Sequence, residues 1–406
     1  MSTIDPGRVL ILWNQVDDDV YEHLAADGPR ALAWDASRPA ERMATASEEM
    51  AAIAAAVRAA GHEVAVVNLG DDLSRLLAAV QEHRPHAILN LVEFFGEDFA
   101  HEQNVAALYE LLGVEYTGAR PATLQLCQRK HRAKAILRAA GLPTAAYFVV
   151  SGLPGEERAP RHHGLHYPMI VKPALEDASG GIDGQSVVHD RAALDAKLAA
   201  VLREYGGPVL VEEYIEGREL HCAILGNDPP QALPLYEMEF LGHDDEHGRP
   251  LPKIITYRAK WDPHSREHYS MQGRCPPEGL EPEVVTHVQE VALRAYRALE
   301  GRDYARVDMR LDLRTGEPVI LEMNPNPDLA EVCAFTQCAA ASGRSYDQVI
   351  GQIVGFALAR ARRAPPAAGG QVWRDSLLRE VLSRAQRAAP ADASSAPPPP
   401  DDKETS

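Results

Sequence analysis

The chain has 406 residues, 45% hydrophobic and 25% charged, enough for two or three domains and a core that needs neither disulfides nor a structural metal. Its formal net charge of -18 argues against nucleic acid and anionic membranes as partners, so any phosphate ligand must be met by local lysines and arginines. The five cysteines (Cys127, Cys222, Cys275, Cys333, Cys338) form no CxxC pair, and no segment has the ~18 apolar residues of a membrane span or the layout of a leader, so a soluble cytoplasmic protein is expected.

In chain order, Arg8 to Trp13 (RVLILW) reads as a buried strand and residues 46–60 as a helix ended by Gly61. Strands at His62 to Leu69, Ala87 to Val92 and Val114 to Tyr116 alternate with helices at 72–83 and 101–112. That alternation predicts a parallel α/β unit over residues 1–122. A single amphipathic helix is expected at 123–140, stopped by Gly141-Leu142-Pro143, then a strand at Ala146 to Val150 and a polar loop at 151–166. Met169 to Val171 and Val209 to Glu212 read as strands flanking a helix at 191–205, which closes a second unit at 123–212. Residues 213–362 mix strand-like runs with helices at 283–300 and 345–362. From 363 to 406, Ala, Pro, Ser and charged residues dominate; beyond a short helix at 373–387, such a tail buries too little apolar surface to order.

Four segments carry chemistry. The strand at Met169 to Val171 ends at Lys172, and the small-residue loop Glu176-Asp-Ala-Ser179-Gly180-Gly181-Ile182 follows; a lysine and backbone N–H groups so placed can hold phosphates. Taken alone, this is equally an ordinary surface lysine before a hairpin. Glu212-Glu213-Tyr214-Ile215 and Glu219 place acids at a strand turn, where they can accept from a base and a sugar or simply be solvated. Alternation puts Arg306 and Asp308 on one face of a strand and Glu322 and Asn324 on one face of the next, with Asp312 to Glu317 as the turn between them. Three hard oxygen donors at one hairpin end suit Mg²⁺, and Arg306 beside them suits a phosphoryl or acyl-phosphate oxyanion. Thr256 to Trp261 sets Lys260 next to an aromatic ring.

In this order and spacing, with Gly96-Glu97-Asp98, Leu108 to Gly118 and Gln128-Arg-Lys130-His-Arg-Ala-Lys134 upstream, these segments resemble the ATP-grasp superfamily, and within it the D-alanine–D-alanine ligases and related carboxylate–amine ligases. The resemblance covers roughly residues 85–360. It implies an α/β (α+β) architecture: an N-terminal parallel α/β domain and two α+β lobes that sandwich ATP. It implies that Lys130 (with Lys134 as second choice) and Lys172 hold phosphates and that the loop Glu176 to Ile182 closes over them. Glu212 and Glu219 would bind adenine and ribose, with Glu213, Tyr214 and Ile215 at the adenine edge. Lys260 would add a phosphate contact. Asp308, Glu322 and Asn324 would hold two Mg²⁺ ions, with Mn²⁺ an accepted substitute, and Arg306 would stabilise the transferring phosphoryl group. A homodimer is also implied.

Other positions depart from that family. Ile11-Leu-Trp-Asn14-Gln-Val-Asp-Asp-Asp replaces its glycine-rich amino-acid motif, and Val92-Glu93-Phe-Phe replaces a His-Gly pair. Ala178 stands where a serine is expected, and Ser179, which follows, takes that place as a catalytic and loop residue. Asp328 and Cys333 stand near a glycine and a later serine of the family. The nucleotide and metal positions are kept while the substrate positions differ, so an ADP-forming ligase is expected with a substrate other than D-alanine. Glu93, Asp98 and Asp328 are candidates for binding an amino group. The expected substrates are a small-molecule carboxylate and an amine. A carboxylate–thiol ligase, an ATP-grasp kinase and a non-catalytic nucleotide-binding protein are the alternatives. Neither Gly-x-Ser-x-Gly nor a Walker-type loop is present.

Overall fold

The computed structural model describes residues 6–16, 21–22, 31–153, 158–160, 163–245, 248 and 250–363. The tail beyond Arg363, with its expected helix, lies outside them, as do Asp17 to Asp19. Strand β1 (Arg8–Trp13) is the centre of the first sheet. After a small hairpin of β2 (Ala31–Leu32) and β3 (Asp35–Pro39) comes helix α1 (Ala46–Ala59), opened by a reciprocal capping box between Thr45 and Glu48. Then follow β4 (Glu63–Asn68), α2 (Leu73–His83), β5 (Ala87–Leu91), α3 (Glu102–Leu112) and β6 (Glu115–Tyr116). The strands pair in parallel in the order β4-β1-β5-β6. Val9 and Ile11 face α1 on one side of the sheet, and Leu10 and Leu12 face α2 and α3 on the other. Burial on both faces is why β1 reads as an unbroken apolar run.

The single helix expected at 123–140 is two: α4 (Pro121–Gln128) and α5 (Lys130–Ala139). Arg129 leaves the helical region at φ -85, ψ 74, and the Lys130 N–H donates to the Ala174 carbonyl (3.3 Å). A tertiary hydrogen bond thus breaks a run that contains no Pro or Gly to announce the break.

The second sheet is antiparallel: β7 (Tyr147–Val150), β8 (Met169–Pro173), β9 (Val187–Val188) and β10 (Val209–Glu213) in the order β7-β10-β8-β9, with α6 (Arg191–Tyr205) behind it. Val171 packs towards α6, so its neighbours Ile170 and Lys172 face the opposite side. Strand β8 runs on to Pro173, which puts Lys172 within the strand rather than just past it.

The third sheet contains β11 (Gly217–Leu225), β12 (Gln231–Ala232), β13 (Tyr236–Phe240), β14 (Met271–Arg274), β15 (Tyr304–Asp312) and β16 (Pro318–Asn324), in the order β14-β13-β11-β15-β16 with β12 beside β11. The short helix α7 (Tyr257–Trp261) precedes β14, and α8 (Pro282–Ala298) precedes β15. Leu220, Cys222 and Ile224 of β11 and Ala305, Val307 and Met309 of β15 pack against α8 and α5. The alternate residues, Glu219, His221, Arg306, Asp308 and Arg310, therefore form the other face, which lines a cleft beneath the second sheet. After α9 (Ala334–Ala341), the last helix α10 (Tyr346–Arg363) returns to the first sheet and shares the core of Val9, Ile11 and α1.

Candidate active site

The cleft between the second and third sheets holds a cavity of about 380 Å³, in the range of small-ligand sites. Lys130 enters at the start of α5 and Lys172 from β8. Glu322 and Asp308 face each other in register across the β15–β16 hairpin, and Arg306 is paired with Asn324 one step along. The hairpin expected from the sequence thus brings these four residues together at one end of the cavity.

Each acid there is matched by a cation. Lys130 Nζ is 3.0 Å from Glu322 Oε2. Burial pushes the Glu322 carboxyl up, but Lys130, Lys172 and Arg306 outweigh it and hold the group at about 2. Arg306 makes a two-pronged pair with Asp308 (2.7 and 2.8 Å), and the Asn324 amide donates to the same carboxylate (2.8 Å). Burial weakens the Arg306 charge, while Asp308 and Glu322 more than restore it. Among the described residues no group of three His, Cys, Asp or Glu could cage a metal. Two carboxylates and an amide oxygen instead fit Mg²⁺, which keeps a few protein ligands and takes the rest from phosphates and water.

Glu212 is 2% exposed and sits between two lysines, Lys134 at Oε1 and Lys172 at Oε2, both at 2.5 Å. Its first visible task is to hold Lys172 in place; each oxygen retains a further lone pair for a base. Lys134 also donates to Thr144 Oγ1 (2.8 Å) and is 1% exposed. It stands behind Glu212, outside the cavity lining, whereas Lys130 is in it. Glu213, Tyr214, Ile215 and Glu219 all line the cavity. The Glu213 and Tyr214 N–H groups are engaged by the carbonyls of Ala146 (2.9 Å) and Pro168 (3.0 Å). Glu219 is paired with Arg310 (2.6 Å), a cation that the sequence reading missed although Arg310 follows Arg306 and Asp308 in strand alternation.

The loop over this end holds Glu176, Ser179, Gly180 and Ile182 at the cavity. Ala178 (φ 52) and Ser179 (φ 65) adopt the left-handed conformation that non-glycine residues resist. Gly181 (φ 71) is not in the cavity lining, and a Cβ there would collide with Pro173. Two bonds from α7 hold the loop: the Trp261 indole N–H donates to the Ala178 carbonyl (3.1 Å), and the Tyr257 N–H to Ile182 (3.0 Å). Lys260 lines the cavity, with its ammonium 4.7 Å from the Trp261 ring centre.

At the far end, Asp328 lines the cavity and accepts from the Ala330 N–H (2.8 Å) and the Cys333 thiol (3.0 Å). Burial and Asp328 push that thiol's pKa up, so Cys333 is not a ready nucleophile. Glu93 is not in the cavity lining and stays accessible to solvent, yet the enclosing protein and Asp328 raise its carboxyl to about 7 against the pull of Lys260. Asp98 is not in the cavity lining; its carboxylate accepts from Ala100 N–H (2.7 Å) and caps the turn at Phe99–His101.

Known proteins resemble this chain in sequence and in fold. Residues 136–355 match the family model for the D-ala D-ala ligase C-terminus. The chain is 33% identical over 310 residues to uncharacterized protein y4sG of Sinorhizobium fredii, covering 75% of this chain and 86% of that protein. It is 31% identical over 316 residues to the D-alanine–D-alanine ligase of Desulforudis audaxviator, covering 76% and 92%. The crystal structure of D-alanine–D-alanine ligase from Bacillus anthracis complexed with ATP superposes with a TM-score of 0.62 at 20% identity, covering 88% of this chain and 99% of that one. The architecture is accordingly the ATP-grasp fold. The chain belongs to the D-alanine–D-alanine ligase family and is an ATP-dependent, ADP-forming ligase.

Proposed function

We propose that the protein activates a substrate carboxylate as an acyl phosphate with ATP and magnesium at this cleft and then couples it to an amine, with an amino acid or small peptide as substrate. The observation that carries this reading is Lys130 paired with Glu322 of the Asp308–Glu322 carboxylates, with Lys172 held nearby by Glu212, beneath a latched loop.

Asp308, Glu322 and the Asn324 amide would hold Mg²⁺, two ions in this reading, which neutralise phosphate charge as Lewis acids. Lys130 and Lys172 hold phosphate oxygens, and Glu212 keeps Lys172 extended towards them. Glu219 and the Glu213–Ile215 stretch take the sugar and base. Lys260 and the loop around Ser179 cover the phosphates and keep water from the acyl phosphate. Arg306, at the border between the carboxylate pair and the Asp328–Cys333 end, stabilises the oxyanion as phosphoryl transfer and then amine attack proceed. The acids Asp328 and Glu93 at that end favour a substrate carrying an ammonium group. Their place, with Cys333, differs from what the family pattern holds, so the proposed substrates are other than D-alanine alone. A homodimer is the proposed assembly.

The test is ADP and phosphate release from MgATP across a panel of D- and L-amino acids and short peptides, with product mass read in parallel. The expected outcome is ADP, not AMP, released with a ligated product for particular amines, and loss of at least about a hundredfold in Glu322→Ala, as for removal of a group that stabilises transferring charge. A phosphorylated product without ligation would replace this reading by the kinase; thioester product would replace it by the thiol ligase. Failure to bind MgATP would overturn it.

A further inference from the structure

We propose that His221 is a further nucleotide-contacting residue, whose imidazole N–H donates to the sugar–α-phosphate segment of ATP. This rests on the reading of the cavity as the ATP site. His221 is 4% exposed and lines the cavity, yet neither ring nitrogen has a hydrogen-bond partner. Glu219 Oε1 is 3.5 Å from Nε2, a weak charge contact longer than a directed hydrogen bond. A buried imidazole with an unmet N–H is destabilising, so its retention calls for a partner that arrives from the cavity.

The ring is held for that purpose. It stacks on Tyr236 with centroids 5.6 Å apart and planes at 18°. Tyr236 in turn lies over Gly273 of β14, where a Cβ would come within 1.8 Å of the tyrosine hydroxyl. Only glycine at that position leaves room for Tyr236, and so fixes the face on which His221 rests.

Strand geometry says what His221 meets. Glu219 and His221 are two apart on β11 and share a face, roughly 7 Å from each other along the strand. Across the ladder His221 is in register with Asp308. It thus stands between the acid read as the sugar contact and the carboxylate read as the metal contact. The part of a nucleotide that spans those two is the sugar and its first phosphate. Sugar hydroxyls and phosphate oxygens both accept from an N–H, so a neutral imidazole suffices.

The experiment uses the full chain with His221→Leu and His221→Gln, measuring calorimetric affinity for the magnesium complex of a non-hydrolysable ATP analogue, for AMP and for adenosine, together with melting temperature without nucleotide. His221→Leu is expected to bind the analogue about tenfold more weakly, as for one lost hydrogen bond, and to melt no lower than wild type, because its side chain leaves no polar group unmet. His221→Gln, which keeps a donor, is expected to recover most of the affinity. Loss for adenosine as well as AMP assigns the contact to the sugar; loss for AMP alone assigns it to the phosphate. Unchanged affinity of His221→Leu for all three, or a fall in affinity that tracks a lower melting temperature and is not recovered by Gln, overturns the proposal. Failure of the wild type itself to bind the analogue instead overturns the ATP-site reading.

Discussion

Glu212 shows how much one residue decides. Burial pushes its carboxyl up, but Lys134 and Lys172 pull it down further, so the folded chain holds it below the ordinary 4.5. Stability from this group is therefore complete above pH 4.5 and is lost as pH falls through the lower folded value. Glu212→Gln would leave Lys134, 1% exposed, as an uncompensated buried cation. The expected cost is about 3–5 kcal/mol, read as a lower urea midpoint at pH 7, with a flattened acid limb of the stability profile. Lys134→Met is expected to cost much less, because Glu212 keeps Lys172; an equal loss would show that Lys134 carries the cluster. The sequence singled out Lys172, Asp308 and Glu322 because a charged residue ending or interrupting an apolar strand is rarely idle, and Asn324 because it shares a strand face with Glu322; the fold brings all four to the cavity. Resemblance alone ranks Lys130 above Lys134; the two are four apart on one helix face, and the fold is what places Lys130 and not Lys134 in the cavity lining. His221 escaped notice for a related reason: within the apolar stretch Leu220 to Leu225 a histidine passes for a core residue, and its one signal was the shared face with Glu219.

At the scale of elements, α7 and the loop it latches form the working unit. Its first and last residues, Tyr257 and Trp261, reach Ile182 and Ala178 of the loop, while Lys260 faces the cavity. The loop carries left-handed Ala178 and Ser179, conformations that persist only when neighbours fix them. Trp261→Phe keeps the ring but removes the N–H donor, at a net cost of about 1 kcal/mol, or roughly fivefold in the closed-to-open ratio. The expected result is a rise in phosphate release uncoupled from ligated product, with faster proteolysis within 176–182 and little change in melting temperature. Coupling equal to wild type would remove the latch from the mechanism. The sequence placed Lys260 beside an aromatic ring but not the helix: five residues are too few for a periodic pattern. The break at Arg129 was hidden for the opposite reason, an apolar period that continues through it while the Ala174 carbonyl takes the next N–H.

Over the whole molecule, the chain closes on itself. Helix α10 follows the sheet that floors the cleft yet packs on the first sheet, and Arg360 marks where the two meet. It reaches Asp303 (2.6 and 2.9 Å), Glu115 (3.0 Å) and the Tyr116 carbonyl (2.6 Å). Asp303, fully buried just before β15, also accepts from the Gly118 N–H (3.1 Å) and Asn227 (2.9 Å). The longer strands and helices were legible in order from apolar runs, but this return was not, because α10 has the same amphipathic pattern whichever sheet it covers. The join predicts that the first and third sheets unfold together. Arg360→Met would leave Asp303 buried without its main counter-charge, and about 3 kcal/mol of stability should be lost in one cooperative transition with an unchanged denaturant slope. Adding Asp303→Asn should restore most of that loss, since removing both charges of a buried pair is far milder than removing one. A second transition appearing in Arg360→Met would mean instead that this pair, rather than the shared apolar core of α1, α10 and β1, is what couples the cleft floor to the rest of the protein.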